Sequence, residues 1–222
     1  MKILAVETSG KSFSAALNID GQNAAEIFYN CGLIHSEKIL ETIENILKVS
    51  NLSLKDIDKF AVSAGPGSFT GIRVGLTVIK TAAQILNKPV VCLDCLTILE
   101  AAAIKIKGIK IIAAINALRD DIFIKRNGMP SIMNIEVFAK SLRRHKNKIL
   151  IIGDAALFHR EIIKKQLGQN AVSLPPSFHF PKASVLAREA LYIDGKSHTE
   201  IAPLYIRKSW AEENKTKKAV IS

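Results

Sequence analysis

Short apolar runs alternate with longer amphipathic segments through the first half of the chain. Residues 2–6, 12–19 and 24–29 predict three strands. Asp20-Gly21, between the last two, predicts a hairpin because glycine accepts the positive φ of a tight turn. An apolar stripe predicts a helix over His35–Val49. The pattern then predicts a strand at 59–64, a helix at 70–86, a strand at 89–93 and a helix at 96–105.

The second half repeats this order of elements. The predicted strands are 109–115, 121–126, 131–136, 148–153 and a short one near Val172; the predicted helices are a basic one at 137–146, then 155–167 and 183–192. Three antiparallel strands followed by alternating helix and strand, twice over, predict an α/β protein with a duplicated actin-like (ASKHA, ribonuclease H-like) fold. It has two βββαβαβα-type halves, the second less regular. We expect a domain boundary near residue 106, which separates domains 1–105 and 106–222.

Composition and cysteine usage indicate a cytoplasmic globular protein. Apolar residues make up 48% and charged residues 23% of the chain. No apolar run is long enough to span a bilayer, and the first residues, MKILAVETSG, lack the pattern of a secretory signal. The three cysteines have no disulfide-framework spacing. Cys92 and Cys95 form a CxxC in a strand-like run, which fits either a redox pair or two buried small side chains.

The net charge of +11 is unevenly distributed. Residues 1–60 hold six basic and eight acidic side chains, so the excess of positive charge lies in the remainder. The run 140–148 contains five Lys or Arg and no acid, and the tail adds Lys215, Lys217 and Lys218. This asymmetry fits a polyanionic partner such as RNA, or a solvated helix face. No aromatic residues are interleaved with the run, so nothing there predicts base stacking.

The most unusual local pattern is AVSAGPGSFTGIRVG at 61–75, which contains four glycines. Gly65 and Gly67 allow a tight backbone path, and Gly71 stands near the start of a predicted helix, where N–H groups favour an anion. Thr8 and Ser9 follow the first strand and offer hydroxyls to the same anion. The loop matches neither the Walker A pattern nor GxGxxG. A phosphate site and a turn that needs glycine only for its geometry both remain open.

The helix after this loop brings Gly71 and Gly75 near one face. A glycine within a helix costs about 1 kcal/mol relative to alanine, so the pair suggests a compensating close contact. That contact is either with another helix or with the protein's own sheet.

Three stretches of the first half, VETSG, HSEKILETIENIL and SAGPGSFTGIRVGL, resemble the bacterial TsaB (YeaZ) family, which is related to the catalytic subunit TsaD (Kae1). In the second half, GDAA (153–156) and PLYIR (203–207) resemble family motifs more loosely. Asn116 stands where the family commonly has the aspartate of a DAR-type segment.

The resemblance implies a non-catalytic scaffold or activating subunit. TsaD-like enzymes attach threonylcarbamoyl to N6 of the adenosine beside the anticodon in tRNAs that read ANN codons, and a His-x-x-x-His pair holds their metal. Cys95 and Leu99 stand at those positions here, so we expect no metal site and no catalytic residue in this chain. The paired-glycine adenosine clamp of actin-like ATPases is missing too. We therefore expect no cofactor of its own, with weak or shared ATP or ADP at the first-half loop or a subunit interface.

The resemblance also implies the partners: a TsaD-like catalytic subunit, a TsaE-like ATPase, and a second copy of the chain when it is isolated. The predicted pairing surface consists of the helices matching His35–Val49 and 70–86. Its residues are His35, Ile39, Ile43, Gly71, Arg73, Val74, Gly75 and Val78. tRNA is contacted indirectly or through the basic second half, and no membrane is involved. The alternatives are an actin-like small-molecule kinase or ATPase, with Glu7 as its base, and a stand-alone RNA-binding protein.

Overall fold

The computed structural model describes residues 1–30, 32, 35–103 and 107–207, and not the side chains of His35 and Ser36. Within these ranges, no helix combines the length and the apolar character needed to cross a lipid bilayer.

The first half is a five-stranded mixed sheet with helices on both faces. Its elements are β1 (Lys2–Glu7), β2 (Phe13–Ile19), β3 (Gln22–Tyr29), α1 (His35–Val49), β4 (Lys59–Ser63), α2 (Phe69–Leu86), β5 (Val90–Leu93) and α3 (Cys95–Ala102). The strand order is β3-β2-β1-β4-β5, with β1 antiparallel to β2 and parallel to β4. Asp20 and Gly21 have φ of 49° and 89°, so the predicted hairpin turn is confirmed.

The second half repeats this topology. Its elements are β6 (Ile109–Asn116), β7 (Asp121–Arg126), β8 (Met129–Asn134), α4 (Ile135–Leu142), β9 (Lys148–Ile152), α5 (Ala155–Phe158), α6 (Arg160–Leu167), β10 (Ala171–Val172) and α7 (Ala183–Glu189). The strand order β8-β7-β6-β9-β10 matches that of the first sheet position by position. Strand β6 is antiparallel to β7 and parallel to β9, as β1 is to its own neighbours. The predicted duplicated actin-like fold is therefore confirmed.

Two of the predicted helices differ from the structure. The basic helix predicted to reach residue 146 ends at Leu142, because the next buried apolar side chain is Ile149 and a further turn would have nothing to pack on the core. The helix predicted over 155–167 is broken at His159, whose φ and ψ of −112° and 27° leave the helical region. The break separates α5 from α6, so each buries its own apolar side chains.

The helices divide the core into layers. On one face of the first sheet, α1 and α2 cover Leu4, Val6 and Phe60. On the other face, α3 and α7 pack against Ile3, Ala5 and other small side chains of the strands. Helix α3 also contacts β6, so it lies between the two sheets. Helix α7, which begins at Ala183, therefore returns from the second half to the first sheet. The domain boundary near residue 106 stays a prediction.

Candidate functional site

A cleft of about 770 Å³ lies between the two halves, at the carboxyl ends of the central strands. Such crevices are the usual ligand sites of open α/β sheets. The first half contributes the loops after β1 and β4, and the second half contributes the loops after β6 and β9. The lining side chains and loops include Ser9–Lys11, Pro66–Phe69, Asn116–Arg119, Asp154, Phe158 and Leu204–Arg207. We call this the central cleft.

The loop between β4 and α2, which contains Gly65 and Gly67 and is called the glycine loop below, packs tightly on the loop after β1. A Cβ atom on Gly67 would stand 2.0 Å from the Ser9 carbonyl oxygen, so only glycine fits there. The Ser68 N–H donates to that same carbonyl at 2.7 Å, and the Ser68 hydroxyl accepts from the Gly71 N–H at 3.1 Å as the cap of α2. Two of the N–H groups available to an anion are therefore used within the chain. The close approach of Gly67 to the Ser9 carbonyl is a geometric reason for a glycine at this position.

Thr8 and Ser9 do not present their hydroxyls to the central cleft. Thr8 is fully buried and its hydroxyl donates to the Gly71 carbonyl at 2.8 Å. Ser9 is 1% exposed, and its hydroxyl and N–H both donate to the Glu7 carboxylate. This corrects the expectation that the two hydroxyls face an anion. The side chain after β1 that lines the cleft with a charge is Lys11, which sequence reasoning did not select.

The second half forms the opposite wall. The Asp154 carboxylate accepts from the Asn116 N–H at 2.8 Å, and the Asn116 side-chain oxygen lies 3.2 Å from Nε2 of His159. Burial raises the pKa of Asp154 above its ordinary value. Across the cleft, the Lys11 ammonium lies 4.9 Å from the centre of the Phe158 ring, a cation–π contact between the halves. The GD turn at 153–154 was visible in the sequence, but the aromatic side chain four residues later had no recognisable signal.

The segment 201–207 connects both walls. The Leu204 N–H donates to the Ala64 carbonyl at 2.8 Å, and Tyr205 stacks on Phe69 with ring centres 4.5 Å apart. The Arg207 guanidinium donates to the Ala117 carbonyl and to the Asp121 carboxylate. This segment therefore bridges the two halves beside the central cleft.

Arg73, predicted to belong to the pairing surface, contacts its own chain. Its Nε donates to the Tyr205 hydroxyl at 2.8 Å, and its guanidinium carbon lies 3.9 Å from the centre of the Phe69 ring. These contacts join α2 to the segment 201–207.

Some of the predicted pairing residues are buried within the chain, and others lie at the surface of α2. Ile39 and Ile43 are buried in the first core, so their side chains are not available to a partner in this fold. Gly71 and Gly75 are both buried. Gly75 faces the end of β1 in the protein's own sheet, since a Cβ there would stand 2.3 Å from the Thr8 hydroxyl. Val74 and Val78 are half-buried at the outer surface of α2. The prediction for His35 concerns a side chain outside the described residues.

The positions that correspond to the metal pair of TsaD-like enzymes belong to the core. Leu99 has no ligand atom, and Cys95 is fully buried with its thiol donating to the Pro66 carbonyl at 2.8 Å. These residues do not fit a metal ion. Burial raises the pKa of the Cys95 thiol and that of Cys92, the latter to about 11, and the two side chains pack in different core clusters. Within the described ranges, no group of three His, Cys, Asp or Glu side chains could hold a metal.

Glu7, the base required by the kinase alternative, is buried below the loop with no exposed surface. Burial is the main cause that raises its pKa above the ordinary value of 4.5, while hydrogen bonds from Ser9 act in the opposite direction. In this structure the Glu7 carboxyl group is therefore not in contact with the central cleft, where a substrate would bind.

Replacing Glu7 by glutamine is expected to stabilise the fold at neutral pH. Because the folded-state pKa of Glu7 is raised, its contribution to stability is complete below pH 4.5 and is lost as the pH rises through the folded-state value. The gain of Glu7→Gln over the wild type should therefore be near zero at pH 4.5 and grow as the pH rises through the folded-state pKa of Glu7. Urea unfolding across this range measures it. A variant that is less stable than the wild type at pH 8 would contradict the argument from the raised pKa, whereas loss of an ATP turnover shown by the wild type would support the kinase alternative.

Comparisons with known proteins agree with this fold. The family model TsaD, tRNA N6-adenosine threonylcarbamoyltransferase, matches residues 32–215. The tRNA threonylcarbamoyladenosine biosynthesis protein TsaB of Bacillus subtilis (strain 168) is 26% identical, over 96% of each chain. TsaB of Escherichia coli (strain K12) is 35% identical over 55% of this chain and 53% of its own length. A crystal structure from Pseudomonas aeruginosa, described as an uncharacterized protein with similarity to peptidase YEAZ, superposes with a TM-score of 0.74 at 21% identity, covering 93% of this chain and 99% of that one. The chain therefore belongs to the TsaD family and, within it, to the TsaB (YeaZ) proteins.

Proposed function

We propose that this chain takes part in tRNA threonylcarbamoyladenosine biosynthesis as a non-catalytic subunit that pairs with a TsaD-like catalytic subunit. The observation that carries the proposal is the sparsely charged outer surface of α2, whose two charged side chains, Arg73 and Lys80, each donate a hydrogen bond within the chain. We call the set Val74, Thr77, Val78, Thr81 and Ile85 the outer face of α2. The subunit role itself is taken from the family to which the chain belongs.

The outer face of α2 has the composition of a helix-packing surface. Between Val74 and Asn87 the one charged residue is Lys80, and its ammonium donates to the Ile201 carbonyl at 3.0 Å within the chain. Ile85 is 76% exposed, and Leu40 on the neighbouring α1 is 61% exposed. Uncharged, short side chains with scattered large apolar ones allow a second helix to approach and bury apolar area. A solvated helix of this length would ordinarily carry charges on its outer face.

The positions that would carry chemistry in a catalytic relative are used for packing here. Cys95 and Leu99 fill the core between the sheets, and Glu7 is enclosed under the glycine loop. We therefore assign the transfer step to the partner. ATP or ADP is proposed at most as a weak or shared ligand, and Lys11 in the central cleft is the side chain best placed for its phosphates. A TsaE-like ATPase is the proposed third component, self-pairing through the same face is proposed for the isolated chain, and the cytoplasm is the proposed compartment.

Reconstitution tests the proposal directly. The TsaD-like and TsaE-like proteins of the same organism are incubated with unmodified tRNA, ATP and threonylcarbamoyl adenylate, the donor that TsaD-like enzymes use, with or without this chain. The modified adenosine is detected by mass spectrometry of nucleosides. We expect it to form readily in the mixture that contains this chain and to be nearly absent from the mixture that lacks it. Equal modification in the absence of the chain would overturn the proposal.

A further inference from the structure

The charges of the second half are separated between its two ends. Residues 107–182 contain five acidic residues, namely Asp120, Asp121, Glu136, Asp154 and Glu161. They lie in the turn after β6, at the start of β7, at the starts of α4 and α6, and directly after β9. All of these places are at the end of the sheet where β6 and β9 finish, and Asp154 among them lines the central cleft.

The opposite end carries cations. Lys107, Lys110, Lys146 and Lys148 are exposed at or just before the beginnings of β6 and β9. The register places Lys148 opposite Ile109 on the neighbouring parallel strand, so these lysines lie side by side. Arg143 and Arg144 follow the last turn of α4, and Lys164 and Lys165 lie in the last turn of α6, at the same end. We call these eight residues the basic end.

The fold alone does not account for the basic end. Cations near the carboxyl end of a helix are favourable by about 0.3–1 kcal/mol each, which explains those on α4 and α6. No such reason applies to the lysines at the strand starts, where neighbouring like charges repel. Lys110 approaches the His145 ring, at 3.1 Å, and among the described residues no acidic side chain forms an ion pair with any member of the basic end. The positive potential is therefore uncompensated within the described part of the chain.

We propose that the basic end binds the phosphate backbone of the tRNA substrate; the proposal rests on the function proposed above for its choice of RNA over other polyanions. Lysine and arginine on an exposed surface neutralise phosphates and release counterions. The segments that form the basic end contain no Phe, Tyr or Trp to stack on bases. Binding is accordingly independent of nucleotide sequence, and selection of the anticodon falls to another part of the complex.

The test compares two variants of the full chain with equal net charge. One is the triple variant Lys110→Gln, Arg144→Gln, Lys146→Gln in the basic end. The control is Lys55→Gln, Lys88→Gln, Lys196→Gln, three lysines around the first sheet. Binding to a fluorescent unmodified tRNA is followed by anisotropy between 50 and 200 mM KCl, with circular dichroism as a check of folding. We expect the first variant to bind about tenfold more weakly, with a salt slope reduced by about 2–3. The control should stay within about twofold of the wild type.

Other results would overturn the proposal. Equal losses in both variants would mean that only net charge matters, and no loss in either would exclude the basic end. Binding to phosphatidylglycerol vesicles without binding to tRNA would assign the surface to a membrane. A tRNA with a non-ANN anticodon should bind as well as the substrate, and strong discrimination would contradict backbone recognition.

Reconstitution separates the two proposals. If the basic-end variant still co-purifies with the TsaD-like subunit and raises KM for tRNA without changing kcat, both stand. If the complex that contains this variant modifies tRNA with an unchanged KM, the proposal that the basic end binds tRNA is wrong, and the proposed subunit role is unaffected. If modification proceeds without the chain, the subunit role fails, while the binding experiment on the isolated chain still decides whether the basic end holds RNA.

Discussion

Replacing Thr77 by arginine is expected to abolish pairing with the TsaD-like subunit while leaving the fold intact. Thr77 is exposed in the middle of the outer face of α2 and makes no side-chain hydrogen bond among the described residues. An arginine there costs the free monomer little, but in a helix-packed interface its charge would be buried without a partner. Such a charge costs about 2–5 kcal/mol, which corresponds to roughly 30- to 5,000-fold in Kd.

Co-purification and the rate of tRNA modification at fixed subunit concentrations measure this loss. The isolated chain should also change from dimer to monomer in analytical ultracentrifugation, because the same face is proposed for self-pairing. Thr199→Arg is the control, since Thr199 is also an exposed threonine and lies in a turn outside α2, where its hydroxyl contacts that of Ser197. If Thr77→Arg pairs and supports modification like the wild type, the outer face of α2 is not the pairing surface. Equal losses in both variants would show that the added charge acts nonspecifically.

Local sequence pattern was sufficient for the architecture. The alternation of apolar residues and the Asp20-Gly21 turn depend on neighbours close in sequence. The hairpin at that turn and the order of strands in both halves agree with the prediction. The return of α7 to the first sheet was not predictable in this way. Its small side chains, such as Ala183 and Ala187, find their partners on strands more than 100 residues earlier in the chain. The break at His159 likewise depends on how α5 and α6 each meet the second sheet.

The candidate site was only half predictable for the same reason. The composition of the glycine loop made it recognisable in the sequence, and its place beside the central cleft follows from its position after β4. The directions of the Thr8 and Ser9 hydroxyls depend on the approach of α2 and on the buried Glu7, which the sequence does not specify. Lys11 and Phe158 meet across the cleft only once both halves have folded.

Gly75→Ala is expected to destabilise the fold strongly, because α2 lies against the end of β1 at this residue. The new Cβ would stand 2.3 Å from the Thr8 hydroxyl oxygen and 3.5 Å from two of the Thr8 carbons. Thr8 cannot turn aside, since it is fully buried and its hydroxyl is held by the Gly71 carbonyl one helical turn earlier. Overpacking of this kind costs about 1–3 kcal/mol or more, and alanine recovers only about 1 kcal/mol through its helix propensity. We expect a net loss of about 2 kcal/mol in urea unfolding.

A double-mutant cycle with Thr8→Ala shows whether this contact is the cause. Thr8→Ala alone removes a buried hydrogen bond and should cost about 1–2 kcal/mol, but it also removes the oxygen that the alanine Cβ would meet. The double variant should therefore be more stable than the sum of the two losses predicts, with a coupling free energy of about 1–2 kcal/mol. Gly10→Ala is the control, because a Cβ there would meet its nearest atoms at 3.7 Å and 3.8 Å, ordinary contact distances. If Gly75→Ala proves neutral, or if the two losses simply add, the helix is not held by glycine against Thr8. The glycines of α2 would then have to be explained by a contact outside this chain.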